Sequence, residues 1–270
     1  MRIALDQFNN RVVAEETTKE GRYTCPICGE AVRPRAIHSQ QRCPHFAHLP
    51  NCICPDNWTS DMSEWHLSWQ QKFPMECREV VLEKDGVKHR ADILIKDRVI
   101  EFQHSQILAK EFRARNEFYQ SCGKRVIWVF DITNEFVSVR SEPPTDACVS
   151  WYSRPAFLRD YNMDSGYSLF LQKGDRLFWV FYEKNNVFHY FEPGFEITSE
   201  MFLKDFGCAS QKNTHSITAV WNKHKERLLP NMQPKQIDRK TPQTARIQPK
   251  RSGRFVPAIP SPEIEIKFKR

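Results

Sequence analysis

Hydrophobic and polar residues alternate along several stretches in the middle of the chain, a pattern typical of half-buried β-strands. Glu76–Glu83 and Val87–Ile95 follow this pattern and flank Asp85-Gly86, a strong signal for a tight hairpin turn. A short turn at Lys96-Asp97 leads to another alternating stretch, Arg98–Gln103. The pattern therefore predicts three consecutive strands.

One helix is predicted before these three strands in the sequence and a second one after them. The first begins at Thr59, where Asp61 and Glu64 have the spacing of a capping box, and Pro74 ends it.

The second predicted helix spans Ile107–Ser121 and is followed by Gly123, a residue suited to a helix C-terminus. The next stretch, Arg125–Asp131, is nearly all apolar, as expected for a strand buried on both faces. The predicted order is α-β-β-β-α-β, which indicates an α/β fold.

The rest of the chain divides into segments of different character. A small hairpin around Phe8–Arg11 precedes a cysteine-rich stretch, and aromatic-rich alternating segments at Leu169–Gln172 and Leu177–Phe181 predict a second β region with a further turn at Asn185-Asn186. The predicted segments are an N-terminal hairpin and Cys/His module at 1–57, an α/β core at 58–137, a β-rich region of unknown role at 138–230, and a basic, Pro-rich disordered tail at 231–270.

Charge is unevenly distributed along the chain. The net charge is +7, and the last forty residues hold ten Lys or Arg against three Asp or Glu, so the preceding part is neutral. The tail is either a cationic arm that raises nucleic-acid affinity or a solubilising extension. No secretory signal and no apolar run of membrane-spanning length is present, so we expect a cytoplasmic protein without a membrane partner.

Three polar residues interrupt the apolar pattern of the second and third strands. Glu101 and Gln103 share one face of their strand, and Asp92 lies on the strand before it. Acidic residues on a hairpin are commonly solvated surface charges. Here their neighbours are Ile, Leu, Val and Phe, which favours a buried site. Asp92 and Glu101 can share one divalent cation, Mg²⁺ or Mn²⁺, that polarises a phosphodiester.

Arg115 and Tyr119 have i,i+4 spacing on the second predicted helix and share one of its faces. They are candidate phosphate contacts that bind substrate, or alternatively a surface stacking pair.

Five of the nine cysteines lie between residues 25 and 54, which in a reducing compartment favours a metal site over disulfides. The preferred tetrahedral Zn²⁺ ligands are Cys25, Cys28, His48 and Cys52, and His45 is the main rival for the fourth place. Cys43 and Cys54 are treated as spectators. The alternative is a reduced cysteine-rich loop without metal.

Several short motifs, in this order, resemble the CoiA-like competence protein family. They are Tyr-Thr-Cys-Pro-Ile-Cys at 23–28, His-Phe-Ala-His at 45–48, Ser-Glu-Trp-His at 63–66, His-Arg-Ala-Asp at 89–92, Ile-Glu-Phe-Gln-His-Ser at 100–105, Arg-Asn-Glu-Phe-Tyr at 115–119 and Ile-Trp-Val at 127–129. The resemblance covers roughly residues 20–131. It implies a restriction-endonuclease-like αβββαβ core of the PD-(D/E)XK type with a zinc-finger-like N-terminal module. The implied substrate is DNA during processing or recombination, and the implied protein partners are recombination or competence proteins.

By this resemblance Asp92 and Glu101 are metal ligands, and Gln103 occupies the usual lysine place. Glu64 on the first helix is the candidate third carboxylate, and His66 is a candidate for a catalytic or a packing role. Gln103 has no charge to stabilise the transition state, although it can orient water.

Two functions therefore remain open from the sequence. One is a metal-dependent DNA nuclease; the other is a catalytically weak nuclease-fold protein that binds DNA and assists recombination. A zinc-stapled adaptor that binds protein is a third, weaker hypothesis.

Overall fold

The structure is a computed structural model, and every residue that it describes falls within one compact unit, Met1–Pro234. The described residues are 1–56, 58, 63–134, 137–142, 146–151, 167–180 and 191–207. The described residues form a mixed α/β fold with two sheets. The turn predicted at Asn185-Asn186 and the tail predicted at 231–270 lie outside the described residues.

The first sheet belongs to the N-terminal module and has five strands in the order β2-β1-β3-β4-β5. Its strands, all antiparallel to their neighbours, are β1 Ile3–Leu5, β2 Arg11–Val13, β3 Tyr23–Thr24, β4 Ala31–Arg35 and β5 His45–His48. The predicted N-terminal hairpin is confirmed. Its turn is closed by the Asp6 carboxylate, which accepts from the backbone N–H groups of Phe8 and Asn10 at 2.8 Å.

The second sheet has nine strands in the order β10-β11-β14-β13-β12-β9-β8-β7-β6. Its strands are β6 Arg78–Lys84, β7 Val87–Ile95, β8 Arg98–Gln103, β9 Arg125–Asp131, β10 Val137–Glu142, β11 Asp146–Trp151, β12 Tyr167–Lys173, β13 Arg176–Val180 and β14 Phe191–Ile197. The described helices are α1 Glu64–Gln70, α2 Ala109–Ser121 and α3 Ser199–Phe206. The predicted order α-β-β-β-α-β is present as α1-β6-β7-β8-α2-β9.

Turn residues explain why the strands from β6 to β8 pair as a meander. Asp85 and Gly86 have φ of 50° and 79°, the left-handed values that a tight hairpin requires, and Lys96 has φ 54° in the next turn. Helix α2 then crosses over the sheet and returns the chain to β9, which is parallel to β8. Strands β7, β8 and β9 begin and end at the predicted residues.

The helix starts differ from the predicted ones. The N-cap of α1 is Ser63, whose side chain accepts from the backbone N–H of His66 at 3.1 Å, in place of the N-cap predicted at Asp61. Thr59 and Asp61 themselves lie outside the described residues. Helix α2 begins at Ala109, two residues after the predicted start. Gly123 follows α2 with φ 69°, as predicted for a helix terminator.

The sheet continues past the predicted core. Strand β12 lies beside β9 and parallel to it, and β13, β14, β11 and β10 extend the sheet outward from there. The segments predicted at 58–137 and 138–230 therefore share one sheet.

Helices cover both faces of this sheet. On one face α2 packs Phe112 and Tyr119 against Val99 and Trp128. The other face carries α1 and α3, and the second cluster there is Trp69, Phe73, Ile93, Ile95, Ile100, Phe102, Ile127, Val129, Phe170, Leu177 and Phe202. The arrangement is a three-layer sandwich, with β8 and β9 buried at its centre. In the part of the chain that the structure describes, no helix has both the length and the apolar character of a membrane span.

The N-terminal module is anchored to the second sheet by a buried carboxylate. Glu79 of β6 accepts from the backbone N–H groups of Arg2 at 2.8 Å and Ile3 at 3.0 Å. Glu79 has φ 45°, a strained value for a residue with a side chain, and this conformation accompanies its reach toward β1.

Candidate active site and metal centre

Asp92 and Glu101 meet where the pairing of β7 with β8 stops. The ladder contains three pairs, the last of which is Ile93 with Ile100. Beyond it the side chains replace the backbone bonds: Phe102 N–H donates to Asp92 Oδ2 at 2.9 Å, and Asp92 N–H donates to Glu101 Oε1 at 3.3 Å. The sequence prediction that these two carboxylates lie together agrees with this geometry.

Helix α2 supplies two donors to Glu101. Arg115 Nη1 donates to Oε2 at 2.8 Å, and the Tyr119 hydroxyl donates to Oε1 at 2.8 Å. Arg115 also donates to Glu111 through Nη2 at 2.6 Å. The two residues share a helix face, as their spacing predicted, but both are buried against Glu101. They are therefore placed to hold a carboxylate, whereas the sequence suggested contact with substrate phosphate.

The α1 residue that reaches the carboxylates is His66. Its Nε2 lies 3.1 Å from Asp92 Oδ1, and only 2% of the residue is exposed. Glu64 is exposed and does not join the pair. Residues two apart on a helix point in different directions, so the inward orientation of His66 turns Glu64 outward. The predicted third carboxylate is thus replaced by an imidazole in this structure.

Burial and neighbouring charges shift the pKa values of the two carboxylates in opposite directions. Burial together with the charge of Asp92 raises the pKa of Glu101 to about 7, although Arg115 and Tyr119 oppose the shift. For Asp92, burial is outweighed by His66 and by the Phe102 N–H, so its pKa lies below the ordinary value. Burial disfavours the His66 cation, but Asp92 more than compensates and the His66 pKa is raised. The site favours an ionised Asp92 beside a Glu101 that readily takes a proton.

Gln103 lies two residues beyond Glu101 on the buried face of β8. Its Nε2 donates to the Ser105 carbonyl at 2.8 Å and lies 3.2 Å from Ser105 Oγ. Within the described residues its Oε1 has no hydrogen-bond partner, so this atom can accept a hydrogen bond from water.

Trp58 closes the α2 side of the site, and nothing in the sequence pattern identified it. Its ring stacks on His89 with centroids 3.4 Å apart, and the Arg115 guanidinium carbon lies 5.1 Å from the ring centroid. His89 in turn lies 3.1 Å from the Asp56 carboxylate. The segment that leaves the N-terminal module therefore packs against the residue that holds Glu101.

A second candidate centre lies in the N-terminal module. The ligand atoms of Cys25, Cys28, His48 and Cys54 all lie within 4.8 Å of one another. Gly29 has φ 74° and its N–H donates to the Cys25 carbonyl at 2.9 Å, which forms the tight knuckle between the first two cysteines.

The fourth member of this group differs from the sequence prediction. Cys54, treated there as a spectator, occupies the place given to Cys52, whose Sγ lies 4.0 Å from that of Cys28. The rival His45 has its Nδ1 3.0 Å from the Cys43 carbonyl. No spacing rule separates two cysteines that lie two residues apart in a loop, so the sequence carried no signal for this choice.

The donor chemistry of the group suits a metal such as zinc. Three sulfurs and one imidazole are a tetrahedral Zn²⁺ set. Burial, with the neighbouring thiols, raises the pKa of Cys54 to about 12, so ionising this thiol requires a nearby cation.

Two family models match the parts of the chain that contain these two centres. Residues 61–142 match the family model for the competence protein CoiA nuclease-like domain, and residues 5–57 match the model for the competence protein CoiA N-terminal domain. No curated protein and no solved structure matches the chain significantly. The carboxylate site falls within the first match and the Cys/His group within the second, and the two matches together span half of the chain. The chain belongs to the competence protein CoiA family.

Proposed function

We propose that this protein is a metal-dependent nuclease of the PD-(D/E)XK type that hydrolyses DNA phosphodiester bonds during DNA processing or recombination. One observation carries the proposal: Asp92 and Glu101 lie side by side where the β7–β8 ladder ends, inside an α-β-β-β-α-β arrangement. A nuclease-like domain of the CoiA family spans the same residues.

The residues fit a divalent cation such as Mg²⁺ or Mn²⁺. Two carboxylates supply the hard oxygen donors that these ions prefer. Burial and, after it, repulsion from Asp92 raise the pKa of Glu101, and a bound cation would relieve the repulsion. When bound, the ion would act as a Lewis acid on the phosphodiester and promote attack by water.

The other residues of the site have separate roles. Arg115 and Tyr119 fix the orientation of Glu101, and His66 places its Nε2 3.1 Å from Asp92 Oδ1. Gln103 has Oε1 available to orient water. The positive charge that a lysine at this position would add is absent, and Arg115 supplies a permanent positive charge bonded to Glu101.

We assign the Cys/His group a structural role, as a Zn²⁺ site that stabilises the N-terminal module. A set of four protein ligands leaves no open position for substrate, which is the property of structural zinc sites. In this proposal the segment at 1–57 is a module stabilised by zinc, and the segment at 58–137 carries out catalysis.

A catalytically weak DNA-binding protein is the second candidate function. It is favoured by the donors that already occupy Glu101, since Oε1 accepts from Tyr119 and Oε2 from Arg115. It is also favoured by Gln103, whose amide nitrogen is bonded to Ser105.

Cleavage of labelled single- and double-stranded DNA tests the proposal. The native protein is expected to cut only when Mg²⁺ or Mn²⁺ is added, and Glu101→Gln is expected to lose this activity. Glu83→Gln removes an exposed carboxylate from β6 and serves as the matched control that keeps the activity. Binding without cutting by the native protein under every metal condition favours the second candidate function.

A further inference from the structure

The outer face of the N-terminal sheet carries arginines among small residues. Strand β4 alternates, with Val32 and Pro34 buried and Arg33 and Arg35 exposed. Across the ladder Arg33 is paired with Ala47 of β5, which has a short side chain, and Arg35 is paired with His45. A face built in this way leaves room for an extended chain to lie along the sheet between the guanidinium groups.

These arginines line a cleft of about 880 Å³, which also contains Lys19 and Arg22. We call it the arginine cleft, defined by Lys19, Arg22, Arg33 and Arg35. Asp6 is the one acidic residue of its lining. The Asp6 carboxylate is already bonded to the backbone of Phe8 and Asn10 and to the Asn10 side chain, so it is committed to its own turn.

The four cations of the cleft differ in their surroundings from three buried or partly buried arginines elsewhere in the described chain. Among the described residues, none of the four has a carboxylate within 4.0 Å, and all four are exposed. By contrast, Arg2 is paired with Glu15, Arg90 lies 3.9 Å from Glu79, and Arg115 is bonded to Glu101. Four cations concentrated in one cleft, against the single carboxylate of Asp6, make it attractive to a polyanion.

The face is also rigidly supported. On its other side Val32 packs with Cys25 and Phe46 in the module's core. Two strand pairings hold β4, one with β3 and one with β5. The guanidinium groups are therefore presented by a fixed scaffold, which limits the entropy lost on binding.

We propose that the arginine cleft binds the sugar-phosphate backbone of DNA and holds the substrate of the nuclease-like domain. The identification of the polyanion as DNA rests on the proposed function. Guanidinium groups bind phosphate oxygens in a bidentate manner, and such contacts position a protein on DNA without reading its sequence. The cleft thus gives the protein a contact with DNA in addition to that at the carboxylate site. This contact does not depend on the DNA sequence.

Binding, measured apart from cleavage, tests this proposal. We would titrate a fluorescein-labelled DNA duplex with zinc-loaded, full-length protein and follow its anisotropy at several salt concentrations, without added Mg²⁺ or Mn²⁺. The double variant Arg33→Ala/Arg35→Ala is expected to bind roughly tenfold more weakly at every sequence. Its slope of log affinity against log salt is expected to be shallower by about two, because two phosphate contacts are lost.

Two further variants make the result specific. Lys84→Ala/Lys88→Ala removes the same charge from the β6–β7 hairpin, outside the cleft, and is expected to keep the native salt slope. Arg33→Lys/Arg35→Lys keeps the charge and is expected to recover most of the slope, while circular dichroism and zinc content confirm that each variant is folded.

An unchanged salt slope in Arg33→Ala/Arg35→Ala overturns the proposal, as does an equal loss in both alanine double variants. Arginine-dependent binding by a protein that never cuts DNA supports the cleft while rejecting the nuclease activity. The two proposals can therefore fail separately.

Discussion

Arg115 Nη1 lies 2.8 Å from Glu101 Oε2, and the side chains are 6% and 1% exposed, respectively. The pair crosses from α2 to the centre of the sheet, where water cannot stabilise either charge. A carboxylate in such a place needs a fixed counter-charge to remain available to a metal ion. The buried arginine therefore belongs to the carboxylate site as much as to the core.

Removing the buried guanidinium is expected to destabilise the fold. Arg115→Gln leaves Glu101 without its counter-charge, and we expect the free energy of unfolding in urea to fall by about 3–5 kcal/mol. Arg125→Gln breaks the exposed pair with Asp97 and is the control, with a much smaller expected change because solvent screens an exposed pair. Adding Glu101→Gln to Arg115→Gln should recover part of the loss. Equal effects of the two single substitutions would contradict the buried-pair account.

Glu101 makes stability depend on pH in a defined direction. Its folded pKa of about 7 lies above the ordinary 4.5, so protonation favours the folded state. This contribution is fully present below pH 4.5 and is lost as the pH rises to about 7. In urea unfolding without divalent ions, Glu101→Gln is expected to lose less stability than the native protein across this interval. Parallel pH profiles for the two proteins would show that Glu101 is not the titrating group.

The fourth ligand of the Cys/His group can be identified by substitution. Cys54→Ser is expected to release most of the bound zinc, because its sulfur completes the group with Cys25, Cys28 and His48. Cys52→Ser is the matched control and is expected to keep the zinc. Zinc content of purified protein, measured by atomic absorption, gives the answer. Loss of zinc from Cys52→Ser alone would restore the set expected from the sequence.

Helix α1 contributes His66 and not Glu64 to the site. We expect His66→Asn to slow metal-dependent DNA cleavage by about a hundredfold or more, the range found for residues that transfer or hold a proton. Glu64→Gln should leave the rate nearly unchanged, because the side chain is exposed. Single-turnover rates on a labelled duplex measure both effects. A larger loss in Glu64→Gln than in His66→Asn would reverse the assignment.

The sequence predicted the centre of the fold well because local signals agreed there. Alternation and tight turns specify β7 and β8, and an apolar run specifies β9, with boundaries that match the structure. The parallel pairing of β12 with β9 could not be predicted from the sequence. Alternation identifies a strand but not the strand with which it pairs across a long connection.

The site was predictable in part for similar physical reasons. Strand alternation fixed the common face of Glu101 and Gln103, and helical spacing fixed that of Arg115 and Tyr119. The face of α1 that points to the sheet was harder to predict, because apolar residues are spread around the helix. The helix also has Ser63 as its N-cap and not the residue predicted from the sequence. The bonds from Arg115 and Tyr119 to Glu101 depend on how α2 docks on the sheet, which spacing along one helix does not define.

Mn²⁺ binding, followed by electron paramagnetic resonance in zinc-loaded protein, tests the central claim that Asp92 and Glu101 together hold one divalent cation. The native protein is expected to bind one Mn²⁺ per chain, more tightly as the pH rises through about 7, because a proton competes for Glu101. Asp92→Asn and Glu101→Gln should each lose this ion, while Glu64→Gln keeps it. Equal Mn²⁺ binding by all four proteins, or no binding by the native protein, would contradict the account.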